Sequence, residues 1–250
     1  MIHRQELAPM IWIGCAGWSV PASSANQFPT GGSHLERYAT HFDAVEINSS
    51  FYRPHRPATY QRWAAAVPMT FRFAVKMPRL ITHERRLVNV SEPLQDFLQN
   101  IMLLGSRLGP VLVQLPPSLV FHPEQATTFL ATLRMHFSGP VVCEPRHASW
   151  FTTGSEELLI QYQIARVGAD PAATPNAAVP GGWDQWIYYR LHGSPRTYYS
   201  SYPPEYLRVL AAQLLAGARQ AHVWCIFDNT ALGAATLNAL MLRELTSSMS

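Results

Sequence analysis

Cysteine is scarce in this sequence of 250 residues, with Cys15, Cys143 and Cys225 far apart along the chain. They form no Cys-x-x-Cys pair and lack the histidine spacing of a zinc finger, which argues against a disulfide framework and a structural metal. Long apolar runs are also missing. No stretch approaches the ~20 residues of a membrane-spanning helix, and residues 1–10 lack the apolar segment of a secretory signal. We therefore expect a cytoplasmic protein with reduced cysteines and no membrane partner.

Charged residues are few: they make up 14% of the chain, against about 25% in ordinary soluble domains. Apolar residues make up 48%, and the formal net charge is only +3. This balance predicts a compact core and excludes a disordered, solvated chain. It is too weakly basic to indicate a nucleic-acid or membrane-surface protein. The absence of Gly-x-Gly-x-x-Gly, Walker and Gly-x-Ser-x-Gly motifs removes the motif evidence for dinucleotide, nucleotide and α/β-hydrolase functions.

Lysine is nearly absent. Of the 19 basic residues one is Lys76 and the rest are arginines, so arginine evidently serves wherever either cation would do. Lysine offers a compact ammonium with three rotatable donors and a pKa that burial can lower, which arginine does not. Lys76 is therefore a candidate for phosphate or carboxylate binding or for amine chemistry. The alternative is a structural ion pair with Glu46.

Short β-rich runs alternate with segments of helical spacing. The eight predicted strands lie at 11–18, 44–51, 71–78, 110–115, 141–147, 165–170, 186–193 and 222–229. The predicted helices lie at 35–41, 58–66, 92–107, 123–136, 155–163, 203–218 and 231–245. This order predicts an irregular (β/α)₈ TIM barrel, with residues 1–250 as one domain and a core at about 11–245. A doubly wound sheet is the main alternative. Residues 171–185, with three prolines and two adjacent glycines, predict a long loop in place of a crossover helix.

Polar side chains close most of the predicted strands, at the end where a barrel holds its active site. The set is Glu46, Asn48, Lys76, Gln114, Glu144, Arg146, His147, Asp170, Arg190, His192, Asp228 and Asn229. Residues two positions apart, such as Glu46 and Asn48, share parity and point to one face of their strand. If that face is the interior, these side chains converge. Buried charges of both signs are rare outside paired or functional clusters.

Two alternatives to a substrate site remain open for this set. The first is a group of structural ion pairs between strands: Glu46 with Lys76, Glu144 with Arg190, and Asp170 with Arg146. The second is a divalent metal, for which ligand types are available in Glu46, Glu144, Asp170 and His192, with His147 and His83 within reach. Because cations at the same end of the strands can neutralise these acids, no metal or other cofactor is predicted.

Seven segments at the predicted strand ends form a recognisable series. They are GCAGW at 14–18, VEINSSFY at 45–52, VKMPRLITH at 75–83, LVQLPPS at 112–118, EPRHASW at 144–150, YRLHG at 189–193 and FDN at 227–229. In this order they resemble the YecE-like proteins, the family of domain of unknown function 72. The resemblance spans about residues 11–245 and implies an irregular TIM barrel, without supplying a reaction. The chain departs from the family pattern at Pro145, at Asp228 and across residues 19–28.

The residues that recur in that family indicate which positions of this chain belong to the site. They correspond to Trp18, Glu46, Asn48, Tyr52, Lys76, His83, Gln114, Glu144, Arg146, His147, Asp170, Arg190, His192 and Asn229. From this set the predicted catalytic residues are Glu46, Lys76, Glu144 and His192. The other ten are predicted to bind substrate. Lys76, Arg146 and Arg190 would hold charge, and Glu46 or Glu144 would act as acid or base.

These residues favour an enzyme of hydrolase or lyase type that binds an anionic small molecule, through a phosphate or carboxylate group, at the barrel mouth. One alternative is a nucleic-acid-associated protein, in which loop arginines contact phosphates and aromatic rings stack on unpaired bases. Those rings are Tyr198, Tyr199, Tyr202 and Trp183. The other alternative is a barrel that binds a ligand without catalysis.

Overall fold

A computed structural model describes residues 10–249 of the chain, and the segment 1–9, considered above for a secretory signal, lies outside them. The strands are β1 (Ile11–Cys15), β2 (Ala44–Ile47), β3 (Arg72–Lys76), β4 (Leu108–Gln114), β5 (Val141–Glu144), β6 (Ile164–Arg166), β7 (Gly168–Asp170), β8 (Gly181–Gly182), β9 (Trp186–Leu191) and β10 (His222–Phe227). The α-helices are α1 (His34–Tyr38), α2 (Pro57–Ala65), α3 (Ser91–Ile101), α4 (Pro123–His136), α5 (Thr153–Gln161), α6 (Pro204–Gly217) and α7 (Ala234–Met249). The fold is therefore mixed α/β, with helices between most successive strands.

The strands form two sheets. One has the order β1-β10-β9-β7 and is parallel throughout; the other has the order β2-β3-β4-β5-β6-β8, with only the two-residue β8 antiparallel. Because neighbouring strands are parallel, the carboxyl ends of β2 to β5 lie together at one end of their sheet. The carboxyl ends of β9 and β10 lie together at the corresponding end of the other sheet. The polar residues that follow these strands are thereby brought into one region.

The expected barrel is not closed by a continuous ladder, because the sheets are interrupted at two places. The predicted strand at 165–170 is divided at Val167, so that β6 pairs with β5 while β7 pairs with β9. At the other junction, β1 and β2 share one isolated bridge, between Ala16 and Glu46. The fold thus has the predicted strand order, but its two sheets are separate.

The hydroxyl of Tyr38 explains the gap between β1 and β2. It accepts the backbone N–H of Cys15 at 2.8 Å and donates to the carbonyl of Ala44 at 2.9 Å, so a side chain replaces a direct bond between the strands. Gly14 lies at this junction, where a Cβ would meet the Ala44 carbonyl oxygen at 2.1 Å. Only glycine permits this approach.

Strand parity divides the core into two clusters. Side chains facing the helices form the larger cluster, which includes Val45, Phe73 and Val113. Side chains of the opposite parity form a smaller one between the two sheets: Trp12, Ala44, Ala74, Leu112, Val142, Ala165, Val167, Tyr188, Trp224 and Ile226. This second face is fully apolar at the amino ends of the strands. On β2, β3, β4, β5, β9 and β10 the interior position at the carboxyl end, two residues further along, is one of the polar residues predicted to converge.

The connection at 171–185 is a loop, as its prolines and glycines predict. It contains only one short 3₁₀ turn, Pro175–Ala178, and the two residues of β8. The predicted helix at 92–107 is also interrupted: α3 ends at Ile101, and the 3₁₀ segment Met102–Arg107 follows, with Gly105 at a φ of 58°. Within residues 10–249, no helix is both long and apolar enough to cross a membrane.

Candidate active site

Arg190, at the end of β9, joins four strands of the two sheets. Its Nε and Nη2 donate to the two carboxylate oxygens of Glu46 at 3.0 and 2.7 Å, and its Nη1 donates to Glu144 at 2.6 Å. Nη2 also donates to Asp228 at 3.1 Å, and the hydroxyl of Tyr188 donates to Glu46 at 3.0 Å. Arg190 and Glu46 are fully buried. Four of the five guanidinium protons are therefore engaged by carboxylates, which leaves Arg190 little capacity to bind a substrate.

His192 lies between two of these acids. Its Nδ1 is 3.0 Å from Asp228 Oδ2, and its Nε2 is 2.9 Å from Glu144 Oε1 and 2.8 Å from Arg146 Nη2. Because a carboxylate only accepts, Nδ1 donates its proton to Asp228. Nε2 faces both an acceptor, Glu144, and a donor, Arg146, so His192 links the two acids and Arg146 in one set of contacts.

Arg146 forms the outer side of this cluster. Its Nη2 is 2.6 Å from Glu144 Oε1, and 21% of its side chain is exposed. Gln114 donates to the other oxygen of Glu144 at 3.1 Å. The Nε of Arg146 is buried and has no hydrogen-bond partner among the described residues. Arg146 thus keeps a donor free for a ligand.

The charges of these groups are mutually stabilised. Burial alone would raise the pKa of the Glu144 carboxyl, but Arg190, Arg146 and His192 outweigh it and hold the pKa well below its ordinary value. Asp228 is similar: burial raises its pKa, and the charge of Arg190 together with the His192 hydrogen bond lowers it below the usual value. Burial lowers the pKa of Arg190, whereas Glu46, Glu144 and Asp228 raise it well above normal. At neutral pH both Glu144 and Asp228 are carboxylates.

Lys76 is the exception in this cluster. It is the last residue of β3 and is only 6% exposed, yet among residues 10–249 no carboxylate oxygen lies within 4.0 Å of its Nζ. Its Nζ lies over the ring of Phe51, 4.1 Å from the ring centroid. Burial, and then the charge of Arg190, lower the pKa of Lys76 to about 8, although Glu46, Asp228 and Glu144 act in the opposite direction. The predicted ion pair between Glu46 and Lys76 is therefore wrong, because Arg190 occupies both oxygens of Glu46.

Of the two other predicted ion pairs, one is present in the structure and one is not. Glu144 with Arg190 is confirmed. Asp170 with Arg146 is wrong: Arg146 pairs with Glu144, and Asp170 accepts the Tyr202 hydroxyl at 2.7 Å. Tyr202 also accepts the backbone N–H of Gly193, so its ring is buried and fixed by hydrogen bonds. Asp170 is thus held outside the cluster.

Several other predicted residues lie around the cluster without joining it. Asn229 is buried and donates to Ser200 and Asn238. His147 bonds to Ser149 at 2.9 Å. Trp18 packs edge-on against Trp63.

Asn48 and Tyr52 flank the 3₁₀ turn Ser49–Phe51, and His83 packs against Phe51. Asn48 has a buried Oδ1 with no partner among the described residues. His83 and Tyr52 both pack edge-on against Phe51, with Tyr52 70% exposed.

Three residues outside the predicted site set contribute to it. Asp228 forms hydrogen bonds with both Arg190 and His192. Its position at the end of a strand is the feature of the sequence that could have assigned it to the site. Phe51 faces Lys76, and nothing in its sequence position distinguishes it from a core aromatic. Tyr198 packs edge-on against His192 and has a φ of 71°, a strained conformation for a tyrosine that its backbone bonds to His192 and Ala231 maintain.

The alternative of a metal site receives no geometric support from the part of the chain that is described. No group of three or more His, Cys, Asp or Glu side chains there is arranged to hold a metal ion. Asp170 is directed to Tyr202, and both ring nitrogens of His192 already have partners. The three cysteines are free and buried; burial raises the pKa of the Cys15 thiol to about 12.

Comparison with known proteins shows which family the chain belongs to. The sequence model of a family described as "Protein of unknown function DUF72" matches residues 12–249. The chain belongs to the DUF72 family. This DUF72 chain is 34% identical over 164 residues to the UPF0759 protein YecE of Escherichia coli K12, and 30% identical over 171 residues to the UPF0759 protein YunF of Bacillus subtilis. The matches cover 64% and 62% of this chain and 57% of each relative, so the chain spans a little over half the length of these relatives.

Solved structures agree with the α/β fold. DUF72 proteins of Enterococcus faecalis and Thermotoga maritima superpose on this DUF72 chain with TM-scores of 0.80 and 0.78, both at 23% identity, covering 95% of this chain and 96% and 99% of theirs. The 3-keto-D-glucoside 4-epimerase YcjR of E. coli superposes with a TM-score of 0.54 at 13% identity, covering 96% of this chain and 99% of its own. At these identities the likeness concerns the fold alone.

Proposed function

We propose that this protein is an enzyme of hydrolase or lyase type whose Lys76 acts on an anionic small molecule, bound where the carboxyl ends of the strands meet. The observation that supports this most is Lys76 itself. It is a buried amine without a carboxylate partner, beside a network in which the other charges are paired. Burying a cation without a partner destabilises a protein, and such groups are concentrated at functional sites.

Two further polar atoms support a ligand at this place. Arg146 Nε and Asn48 Oδ1 are buried and unpartnered among the described residues, although buried polar groups are normally hydrogen-bonded. A substrate with an anionic group and a hydroxyl or amide would satisfy both. In this proposal Arg146 donates to the anionic group and the charge of Lys76 attracts it, while Glu46 and Arg190 are positioning residues because their hydrogen bonds are directed to each other.

We also propose that the two sheets together form an irregular (β/α)₈ barrel. The support is that β6 and β7 are separated by Val167 alone and that Tyr38 spans the gap between β1 and β2. In such a barrel the catalytic residues come from the carboxyl ends of several strands. The Arg190 network, which draws on β2, β5, β9 and β10, is consistent with that placement.

Thermal unfolding in the presence of phosphate or sulfate tests the proposal. A ligand that binds only the folded protein stabilises it by about 1.4 kcal/mol at ten times its Kd, which raises Tm by about 3–6 °C in a protein of this size. We expect this rise in the wild type and its loss in Lys76→Met and Arg146→Met. The matched control is Arg208→Met, because Arg208 is exposed on α6, and the rise should persist there.

Other outcomes of this test would contradict the proposed anion site or favour one of its alternatives. A wild type that does not respond to either anion contradicts the proposed site. Salt-sensitive binding of single-stranded oligonucleotides without an anion response would favour the nucleic-acid alternative, and a response to divalent cations alone would favour the metal alternative.

A further inference from the structure

We infer that Lys76 condenses with an aldehyde or ketone group of its substrate to form a Schiff base, so that the substrate class is a small carbonyl compound bearing a carboxylate or phosphate. The inference rests on the proposed function, because both assume that Lys76 acts on the bound substrate. It goes further in naming the bond that the amine forms.

The surroundings of Lys76 suit a nucleophile better than an ion-pairing group. A charged lysine that served only as a structural cation would be expected to contact a carboxylate, and three are present in the same interior. All three are instead bonded to Arg190. Since burial brings the pKa of Lys76 to about 8, part of the amine is unprotonated near neutral pH, as attack on a carbonyl requires.

The product of condensation would keep the favourable contacts of Lys76. A protonated Schiff base is a cation, so it retains the attraction to the face of Phe51, 4.1 Å from Nζ. The negative charges of Glu46, Asp228 and Glu144 act on Nζ in the same direction. These contacts offset part of the cost of burying a cation at this nitrogen, whether ammonium or iminium, and formation of the iminium does not require a counter-ion to move.

In this inference His83 accepts the proton that Nζ loses. Its ring packs edge-on against Phe51 with centroids 4.9 Å apart, and its Nδ1 is 2.8 Å from Thr82 Oγ1. Its Nε2 has no partner among the described residues. Burial, followed by the charges of Lys76, Arg79 and Arg146, lowers the pKa of His83, so the ring is neutral and can accept a proton.

The step balances without an oxidant or reductant. The Nζ electron pair forms a bond to the carbonyl carbon, and the carbonyl oxygen takes up a proton. The nitrogen then loses a proton to His83 or to water. The hydroxyl leaves as water after gaining a second proton, and the C=N bond forms. Arg146, with its free Nε, would hold the anionic group of the same molecule.

Reductive trapping tests the inference directly, because the chain has one lysine. The full chain is incubated with pyruvate, or separately with glyceraldehyde 3-phosphate, and reduced with sodium borohydride, which supplies hydride to the C=N bond. We expect a mass gain equal to the carbonyl compound less one oxygen atom, located by peptide mapping on Lys76. The adduct should be absent from Lys76→Arg and Lys76→Met, and the α-amino group serves as the internal reference for unselective reaction.

The outcomes separate this inference from the proposed function. If the wild type yields no adduct with either compound, or only one at the α-amino group, the Schiff-base inference is overturned; a Lys76-dependent Tm rise with phosphate would then leave the proposed function standing. If Lys76 is trapped but Arg146→Met does not reduce trapping of pyruvate, the carbonyl class holds and the assignment of the anionic group to Arg146 is overturned. Dihydroxyacetone, which has no charge, is the matched compound: Arg146→Met should reduce the trapping of pyruvate more than the trapping of dihydroxyacetone.

Discussion

Lys76 is held between opposing electrostatic effects. Loss of hydration lowers its pKa most, the charge of Arg190 lowers it further, and three carboxylates raise it. His83 lies on the same side, and the charge of Lys76 lowers the pKa of that imidazole in turn. The result is an amine that titrates near the pH at which most enzymes operate, close to a histidine that remains neutral there.

The titration of Lys76 can be observed by itself. In protein labelled with ¹³C-lysine, the single lysine gives one Cε resonance, and we expect its midpoint at a pKa of about 8, against about 10.4 for an unperturbed lysine. Replacing Phe51 with leucine keeps the site apolar but removes the ring face. Because a cation–π contact contributes about 0.5–2 kcal/mol, Phe51→Leu should lower the midpoint by roughly 0.4–1.5 pH units.

The control is the neighbouring aromatic, Tyr52, which is 70% exposed and forms no cation–π contact with Nζ. Tyr52→Leu should leave the midpoint unchanged. A wild-type midpoint above about 10, as in an exposed lysine, would show that Nζ is hydrated and would contradict its burial.

At the scale of single residues, the sequence identified Lys76 from its rarity but assigned it the wrong neighbour. Strand order places Glu46 and Lys76 on adjacent strands, which made their pairing reasonable. The longer side chain of Arg190 reaches across the interior and forms two bonds with Glu46, which an ammonium could not match. Side-chain reach across an interior depends on the relative positions of distant strands, which a sequence pattern does not contain.

At the scale of strands, Arg190 links β9 to β2, β5 and β10. We expect Arg190→Met to lower the free energy of unfolding by roughly 3–5 kcal/mol, because removing one partner of a buried ionic network leaves carboxylates without compensation. Urea unfolding of both proteins measures the difference. The matched control is Arg79→Met, whose surface ion pair with Glu84 is about half exposed and should contribute less than about 1 kcal/mol. Equal losses in the two variants would argue against a structural role for the Arg190 network.

The strands and helices were largely predictable because β-rich runs and helical spacing alternate clearly along the chain. The interruptions were not. Residues 165–170 read as one strand, and only the hydrogen bonds show that Val167 divides it between two sheets. Tyr38 looks like an ordinary core aromatic of α1, yet its hydroxyl substitutes for a ladder bond between β1 and β2. Both features depend on contacts between segments that are far apart in sequence, and local sequence patterns do not predict such contacts.

At the scale of the whole molecule, the chain combines an apolar interior at one end of the strands with a charged interior at the other. The acids Glu46, Glu144 and Asp228 are matched in number by Arg146, Arg190 and Lys76. This balance explains why the net charge of the chain is a poor guide to the site.

Lys76 should impose a recognisable pH dependence on folding. Its pKa is lowered from 10.5 to about 8 in the folded protein, so between these values the unfolded chain binds more protons and stability rises with pH. Below pH 8 the full cost of the buried ammonium is present, and above 10.5 it is relieved. A difference of this size corresponds to about 3 kcal/mol.

Lys76→Met lacks this titration, and the comparison cancels groups common to both proteins, including buried tyrosines whose ionisation destabilises the fold at high pH. We expect the stability of the variant relative to the wild type to be constant below pH 7 and to fall by about 3 kcal/mol as the pH rises through the interval from about 8 to 10.5. Urea unfolding at a series of pH values measures this. Packing differences between lysine and methionine shift the whole curve without changing its slope, so a flat difference across the interval would show that Lys76 has an ordinary pKa in the folded protein.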